Sequence, residues 1–270
     1  MQGNRSRGRA TLGSSVVTGI STAAVSGSAA VAGIILSRKF GHGVRTDGFF
    51  AAYAVYLALV LVASALRVVA LPSFVRAREG GRLGSEVGTW LAAAAIPCVP
   101  AACVAIFWPD GIARALTGGT DARHAAAQLL PWLVPAAVAQ IGAGILASGL
   151  AATDEFMVAA AGFCTGAVVG VIAIALLVDH GVVAFGWGLA LNAAIAIGAT
   201  LCGALLRGAL RRPDSRPFHR LGELAEGVAL PFALQGLYVI GVRFASGLGD
   251  RKSTRLNSSH VRLSRMPSSA

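Results

Sequence analysis

The stretch Ile35–Gly80, ILSRKFGHGVRTDGFFAAYAVYLALVLVASALRVVALPSFVRAREG, decides the fold class of this chain. It opens on Arg38, Lys39 and Arg45 and closes on Arg76, Arg78 and Glu79. Between Gly48 and about Val75 the only charged side chain is Arg67. A bilayer core is crossed by about 20 consecutive apolar residues in a helix, and basic residues gather where such a helix leaves the hydrocarbon. Read outward from this run, the pattern recurs. Apolar segments are expected to span the membrane over Ser14–Leu36, Gly48–Val75, Gly88–Trp108, Ala125–Ala152, Phe156–Val178 and Val182–Leu206, with a seventh from Leu224 to Leu248. The 270 residues are 55% hydrophobic and 13% charged, with a mean hydropathy of +0.69. A soluble domain carries about 25% charged residues, so this chain lacks the polar surface to face water. The reading is all-α, a polytopic bundle of transmembrane helices. The first segment is too long, and too soon followed by a second, for a cleaved signal peptide.

Charge in the joints sets an expected orientation. With the N-terminus in the cytoplasm, that side receives Arg5, Arg7, Arg9, Arg76, Arg78, Arg82 and the arginines from Arg207 to Arg220. The outer side receives Arg38, Lys39, Arg45, Arg114 and Arg123, the smaller share. The net charge of +11 follows from this bias and from a basic C-terminus; it does not point to nucleic acid, because the arginines sit at membrane joints. Cys98, Cys103, Cys164 and Cys202 lie inside apolar runs and read as small core residues. The joint LRGALRRPDSRPFHRLGELAEG reads as a positive-inside linker between two lobes, with a basic helix that could lie on an anionic leaflet. A faint echo links GIILSRKFGHG at the end of the first span with YVIGVRFASGLG at the end of the seventh, as in transporters built from repeated halves.

The hairpin around Ile35–Gly80 carries a resemblance. Phe40-Gly41, Gly43, Thr46-Asp47, Phe49-Phe50-Ala51-Ala52, Leu71-Pro72 and Phe74 resemble the first helical hairpin of the lipid II flippase family, within the multidrug/oligosaccharidyl-lipid/polysaccharide (MOP) exporter superfamily. The seventh span, LPFALQGLYVIGVRFASGLG, looks like the start of that superfamily's second six-helix lobe. The likeness implies two lobes working by alternating access on a polyprenyl-pyrophosphate-linked sugar, at the plasma (inner) membrane. It carries Asp47 over as a site residue. It does not carry over the family's cationic grip on pyrophosphate, because Ser26, Ala32 and Val60 stand where that family has arginines.

On this reading residues 1–220 form a first lobe of six helices with its cytoplasmic linker, and 221–249 are the first helix of a truncated second lobe. Residues 250–270, a disordered tail, read differently. DRKSTRLNSSH and SRMPSSA can both be back-translated into stretches resembling one sequencing-library adapter, in the right order and at a workable spacing. The tail is therefore expected to be non-native, and the second lobe of the same chain to be missing.

Few residues in the spans can carry chemistry. Thr18, Thr22 and Ser26 recur every four residues, which places three hydroxyls on one helical face. Such a face serves either a substrate or close packing. Arg67 and Arg243 lie within spans, where a charge is costly and faces a cavity, a partner or, by snorkelling, the interface. Together with Asp47 these are the candidate substrate-binding residues. Arg45 and Asp47 are close enough in sequence to pair. Pro97, Pro100, Pro131 and Pro135 place kinks in the third and fourth spans. Gly162, Gly166 and Gly170 read as a close-packing face, and Asn192 and Gln140 as interhelical hydrogen-bonding groups. No metal set, phosphate loop or nucleophile triad is seen, so a transporter without cofactor is expected rather than an enzyme. The alternatives are a cation-coupled multidrug exporter of the same superfamily, which would want an acidic residue within a span, and a non-transporting membrane scaffold.

Overall fold

A computed structural model describes residues 23–41, 43–118, 121–213 and 217–226, with Ala229, Ala233 and Leu237 beyond them. The regular structure among these residues is entirely helical. Helix α1 covers residues 23–40 of those described. It is followed by α2 (Val44–Glu79), α3 (Leu83–Phe107), α4 (Pro109–Thr117), α5 (Ala122–Ala151), α6 (Phe156–Leu177) and α7 (Val183–Leu206). Short 3₁₀ turns occupy Val178–His180 and Pro217–His219, and residues 220–226 are helical again. Five of these segments are long and apolar enough to cross a membrane: Val44–Glu79, Leu83–Phe107, Ala122–Ala151, Phe156–His180 and Val183–Leu206. The chain is thus a multi-pass helical membrane protein. It falls into two compact units, Met1–Val228 and Ala229–Ala270; in the second, the three described residues are helical. The expected seventh span (apart from residues 224–226, 229, 233 and 237), the 250–270 tail, Thr18, Thr22 and Arg243 lie outside the described residues.

Helix α5 is the centre of the first unit. Two thirds of its most apolar window is buried, against little more than a quarter for α2, α6 and α7. Helices α2, α7 and α3 pack on α5, and α6 packs on α7. Small residues make this possible. A Cβ at Gly162 would stand 2.6 Å from Ala199 Cβ, one at Gly166 2.7 Å from the Asn192 carbonyl oxygen, and one at Gly170 2.7 Å from the Gly188 carbonyl oxygen. The three glycines therefore form the α6–α7 seam, as their spacing predicts. Buried hydroxyls are satisfied within their own helices: Ser148 Oγ donates to the Gly144 carbonyl at 3.0 Å and Thr200 Oγ1 to that of Ala196 at 2.9 Å.

Several boundaries differ from the hydropathy pattern. Helix α2 begins at Val44, not Gly48, and runs to Glu79. Asp47 in its first turn and Arg76 and Arg78 in its last suit the helix dipole, so polar ends extend the helix. Its 36 residues span about 54 Å, well beyond the roughly 30 Å of hydrocarbon. Helix α3 begins at Leu83, not Gly88. Its first turns are held by protein contacts rather than by lipid. The Arg211 amide donates to the Gly84 carbonyl at 2.8 Å, and a Cβ at Gly88 would stand 2.1 Å from the Arg211 carbonyl oxygen. Helix α4 has no counterpart among the expected spans. It is short, with Ala113 buried against the bundle and Asp110 held to Arg123 at 3.2 Å.

Three further expectations are corrected. None of the four cysteines is buried: Cys103 and Cys202 are exposed, Cys98 and Cys164 half-buried. The apolar runs containing them face outward as well as inward. Asn192 and Gln140 make no interhelical side-chain hydrogen bond among the described residues; Asn192 instead packs against Gly166 and Gly170. Arg45 and Asp47 form no ion pair. At that end of the bundle Lys39 Nζ pairs with Asp179 Oδ1 at 2.7 Å, joining the end of α1 to the turn after α6.

Candidate functional site

Two features break the apolar continuity of the bundle, and both lie between α2 and the α6–α7 pair. The first is Arg67. It sits on the face of α2 that meets α5, and glycine is what admits it: a Cβ at Gly144 would stand 2.9 Å from Arg67 Nε. The guanidinium carbon lies 4.5 Å from the centre of the Phe163 ring of α6, a cation–π contact. Arg67 Nε is buried with no hydrogen-bond partner among the described residues. No carboxylate pairs with this arginine among the described residues. A guanidinium has five N–H donors in a fixed fork, and the ring face satisfies charge but accepts no proper hydrogen bond. The site is therefore donor-rich and acceptor-poor.

The second feature is a cavity of about 380 Å³ enclosed by α1, α2, α6 and α7. Val60 of α2 lines it, and Arg67 lies seven residues further on, two turns along the same helical face. On α6, Ala167 lines it, one turn beyond Phe163. Arg67 and Phe163 thus stand about two turns and one turn below the cavity. Aromatic rings build its wall. Phe49 and Tyr53 stack at 5.2 Å, Tyr53 and Tyr56 at 5.5 Å, and Phe185 of α7 meets Phe49 edge-on at 5.3 Å. Among the described residues no charged side chain lines it.

At the opposite end of the bundle the polar joint after α7 is docked on α3. Arg220 Nη2 donates to Glu86 Oε1 at 2.6 Å, and Arg220 also pairs with Glu223. Trp90 Nε1 donates to the same Glu86 oxygen at 3.1 Å, and Arg220 lies over the Trp90 ring at 5.8 Å. The helical turn of residues 220–226 also buries Leu224. This segment packs on protein and is not a free surface loop.

The candidate residues named from sequence fall apart in this geometry. Arg67 is in the cleft. Ser26 is exposed on α1 and does not line the cavity, whereas Ser28 does. Asp47 is exposed in the first turn of α2 and pairs with no described residue. Thr18, Thr22 and Arg243 lie outside the described residues. Gly144, Phe163 and the Phe49–Tyr53–Tyr56 stack were not singled out in the sequence. A charge interrupting an apolar run is visible in a sequence; the glycine and the ring that receive it belong to other helices and are not.

No family model matches this chain, and no curated protein matches it. Solved structures do. A MOP superfamily transporter from Pyrococcus furiosus, described as having a binding pocket of reversed polarity, is similar with a TM-score of 0.66 and 14% identity, over 94% of this chain and 59% of that one. The lipid II flippase MurJ in an inward closed conformation is similar with a TM-score of 0.61 and 13% identity, over 83% of this chain and 47% of that one. At such identities the likeness is one of fold: the chain has the helical architecture of MOP transporters and spans about half the length of these two.

Proposed function

We propose that this chain is the first lobe of a flippase that moves a polyprenyl-pyrophosphate-linked sugar, a cell-wall or polysaccharide precursor, across the plasma membrane by alternating access. The observation that carries this reading is Arg67, a half-buried arginine inside a membrane bundle whose buried Nε has no hydrogen-bond partner among the described residues. Burying an unsatisfied charged donor is costly, and a phosphate oxygen is the acceptor that repays it best. The MOP architecture supports transport as the activity. From the sequence alone, Thr18, Thr22, Ser26, Asp47 and Arg243 are kept as further candidate contacts for a headgroup. The N-terminus is placed in the cytoplasm by the arginine bias of the joints. The lobe works against a second one, so the 270-residue chain alone is expected not to transport.

The test uses a chain that carries both lobes, reconstituted in liposomes with a polyprenyl-pyrophosphate-linked sugar. Arrival of the headgroup on the far side is read with a membrane-impermeant reagent. Arg67→Ala should slow translocation about 10- to 100-fold, the worth of a charge-assisted hydrogen bond, while Arg67→Lys keeps part of the rate. Equal rates for all three forms would overturn the assignment.

A further inference from the structure

The aromatic cavity is a different object from the arginine cleft, and the rings and hydroxyls in it call for their own occupant. Tyr56 is only 6% exposed, yet its hydroxyl meets no hydrogen-bond partner among the described residues. Tyr53, stacked on it, is in the same position, and so is the Asn192 side chain on the facing wall. All three line the same cavity. These side chains border a space whose other lining residues include Val25, Leu36, Val60 and Ile174. A wholly apolar cavity stays dry at no polar cost, but phenols and an amide left unmade in a low-dielectric setting are expensive. Hydrocarbon chains cannot satisfy them.

We infer that this cavity is a binding site for a neutral, ring-bearing lipophilic molecule with a hydrogen-bond-accepting oxygen, reached from the bilayer. Each element of that description answers an observation. The ligand is neutral because, among the described residues, no charged side chain lines the cavity to compensate an ion. It is ring-bearing because the α2 wall is a ladder of parallel rings, Phe49, Tyr53 and Tyr56, capped edge-on by Phe185, which favours an offset-stacked planar guest. It bears an acceptor because the two phenols and the Asn192 amide are donors without partners among the described residues. A volume of about 380 Å³ lies at the small end of the range for small-molecule sites. The access is lateral, since Phe50 and Leu57 at the margin are exposed on the membrane-spanning face of α2. Gly188, which lines the cavity, has its carbonyl oxygen 2.7 Å from where a Gly170 Cβ would be, so the back wall exists only because both residues lack side chains.

Benzophenone suits the test, being a neutral diaryl ketone that inserts into nearby C–H bonds under near-ultraviolet light. The 270-residue chain in phosphatidylcholine nanodiscs is illuminated with increasing benzophenone, and adducts are mapped by mass spectrometry. Labelling should saturate and concentrate on cavity residues such as Tyr53, Leu57 and Leu189, not on outward-facing Val68 or Leu176. Fluorenone, a neutral planar ketone, should suppress it; the tetraphenylphosphonium cation should not. Tyr56→Phe keeps the ring stack and removes one donor, and should raise the half-saturating concentration about fivefold. Ala32→Phe, which fills the cavity, should abolish the saturable adducts. Labelling spread evenly over the outward face would overturn the site. Affinity unchanged in a Tyr53→Phe/Tyr56→Phe protein would make the cavity a groove for lipid chains. Stronger competition by the cation than by fluorenone would refute neutrality.

Discussion

Around Phe49, Tyr53 and Tyr56 the helices surround a cavity of rings and hydroxyls with no charged side chain among its described lining residues; around Arg67 and Trp90 they enclose arginines. Both regions use the same helices, α2 above all. The aromatic half is built from side chains that hold helices apart and leave a cavity. The other half is built from Gly144, Gly84 and Gly88, which let a guanidinium or a backbone come close. The contrast teaches that residue size, not polarity alone, decides where a polar group can be kept in a membrane bundle. Large rings make room for a guest, and missing side chains make room for the protein's own arginines.

Trp90 is the place to break the arginine-bearing half. It is fully buried, meets Phe74 edge-on, and anchors Glu86 and Arg220. Trp90→Ala should cost about 3–5 kcal/mol and give the largest fall in melting temperature in detergent. Removing Arg220 tests the charged clasp on Glu86 and Glu223 while leaving Trp90 in place. Its side chain is 22% exposed and that of Glu86 16%, so Arg220→Ala should cost about 2 kcal/mol, less than a fully buried pair. Adding Glu86→Gln should restore part of it, because the stranded carboxylate is then neutral. If the double variant is no better than the single one, burial of charge is not what the clasp manages.

Much of this contrast was open to a reader of the sequence, and the reason is length. Apolar runs as long as Gly48–Val75 permit only one kind of structure, so the class of fold and the interiors of the spans follow directly. The ends do not, because residues 83–87 of α3 are helical through contacts with Arg211 and Arg220, more than 120 positions away in the chain. Arg67 stood out as a charge among apolar residues. Tyr53 and Tyr56 did not, since an aromatic residue in a span reads as lipid-facing or core, and an unpartnered hydroxyl shows only in three dimensions. The hydroxyl face of α1 was visible as a period, but its described member, Ser26, points away from the cavity.

Gly144→Ala sharpens the comparison at smaller amplitude. The added methyl meets Arg67 Nε, the movable end of a long side chain, so a cost of about 1–2 kcal/mol is expected. That cost should vanish in an Arg67→Ala background, and a thermodynamic cycle of the four proteins measures the coupling. Persistence of the full cost would mean that the glycine serves the α2–α5 contact and not the arginine. Smallest of all is Lys39→Ala. The Lys39–Asp179 pair is exposed, so no measurable change in melting temperature is expected at any salt concentration. A clear loss would show that the ends of α1 and α6 are tied more tightly than their exposure suggests.

The central position of α5 has a consequence for how the protein is made. Helices α2 and α3 pack chiefly on α5, and α7 packs on both α5 and α6, while α2 and α3 touch each other sparingly. A ribosome delivers α2 and α3 to the membrane before α5 exists. During that interval Arg67 has neither Gly144 beneath it nor Phe163 beside it, and must wait in contact with lipid headgroups or with the insertion machinery. Arrival of α5, and then of α6, converts a set of independent spans into a bundle and draws the arginine inward. Assembly of this lobe is therefore a late event in synthesis, gated by α5, and a nascent chain arrested before Ala122 should still be accessible at Arg67 to factors that the finished bundle excludes.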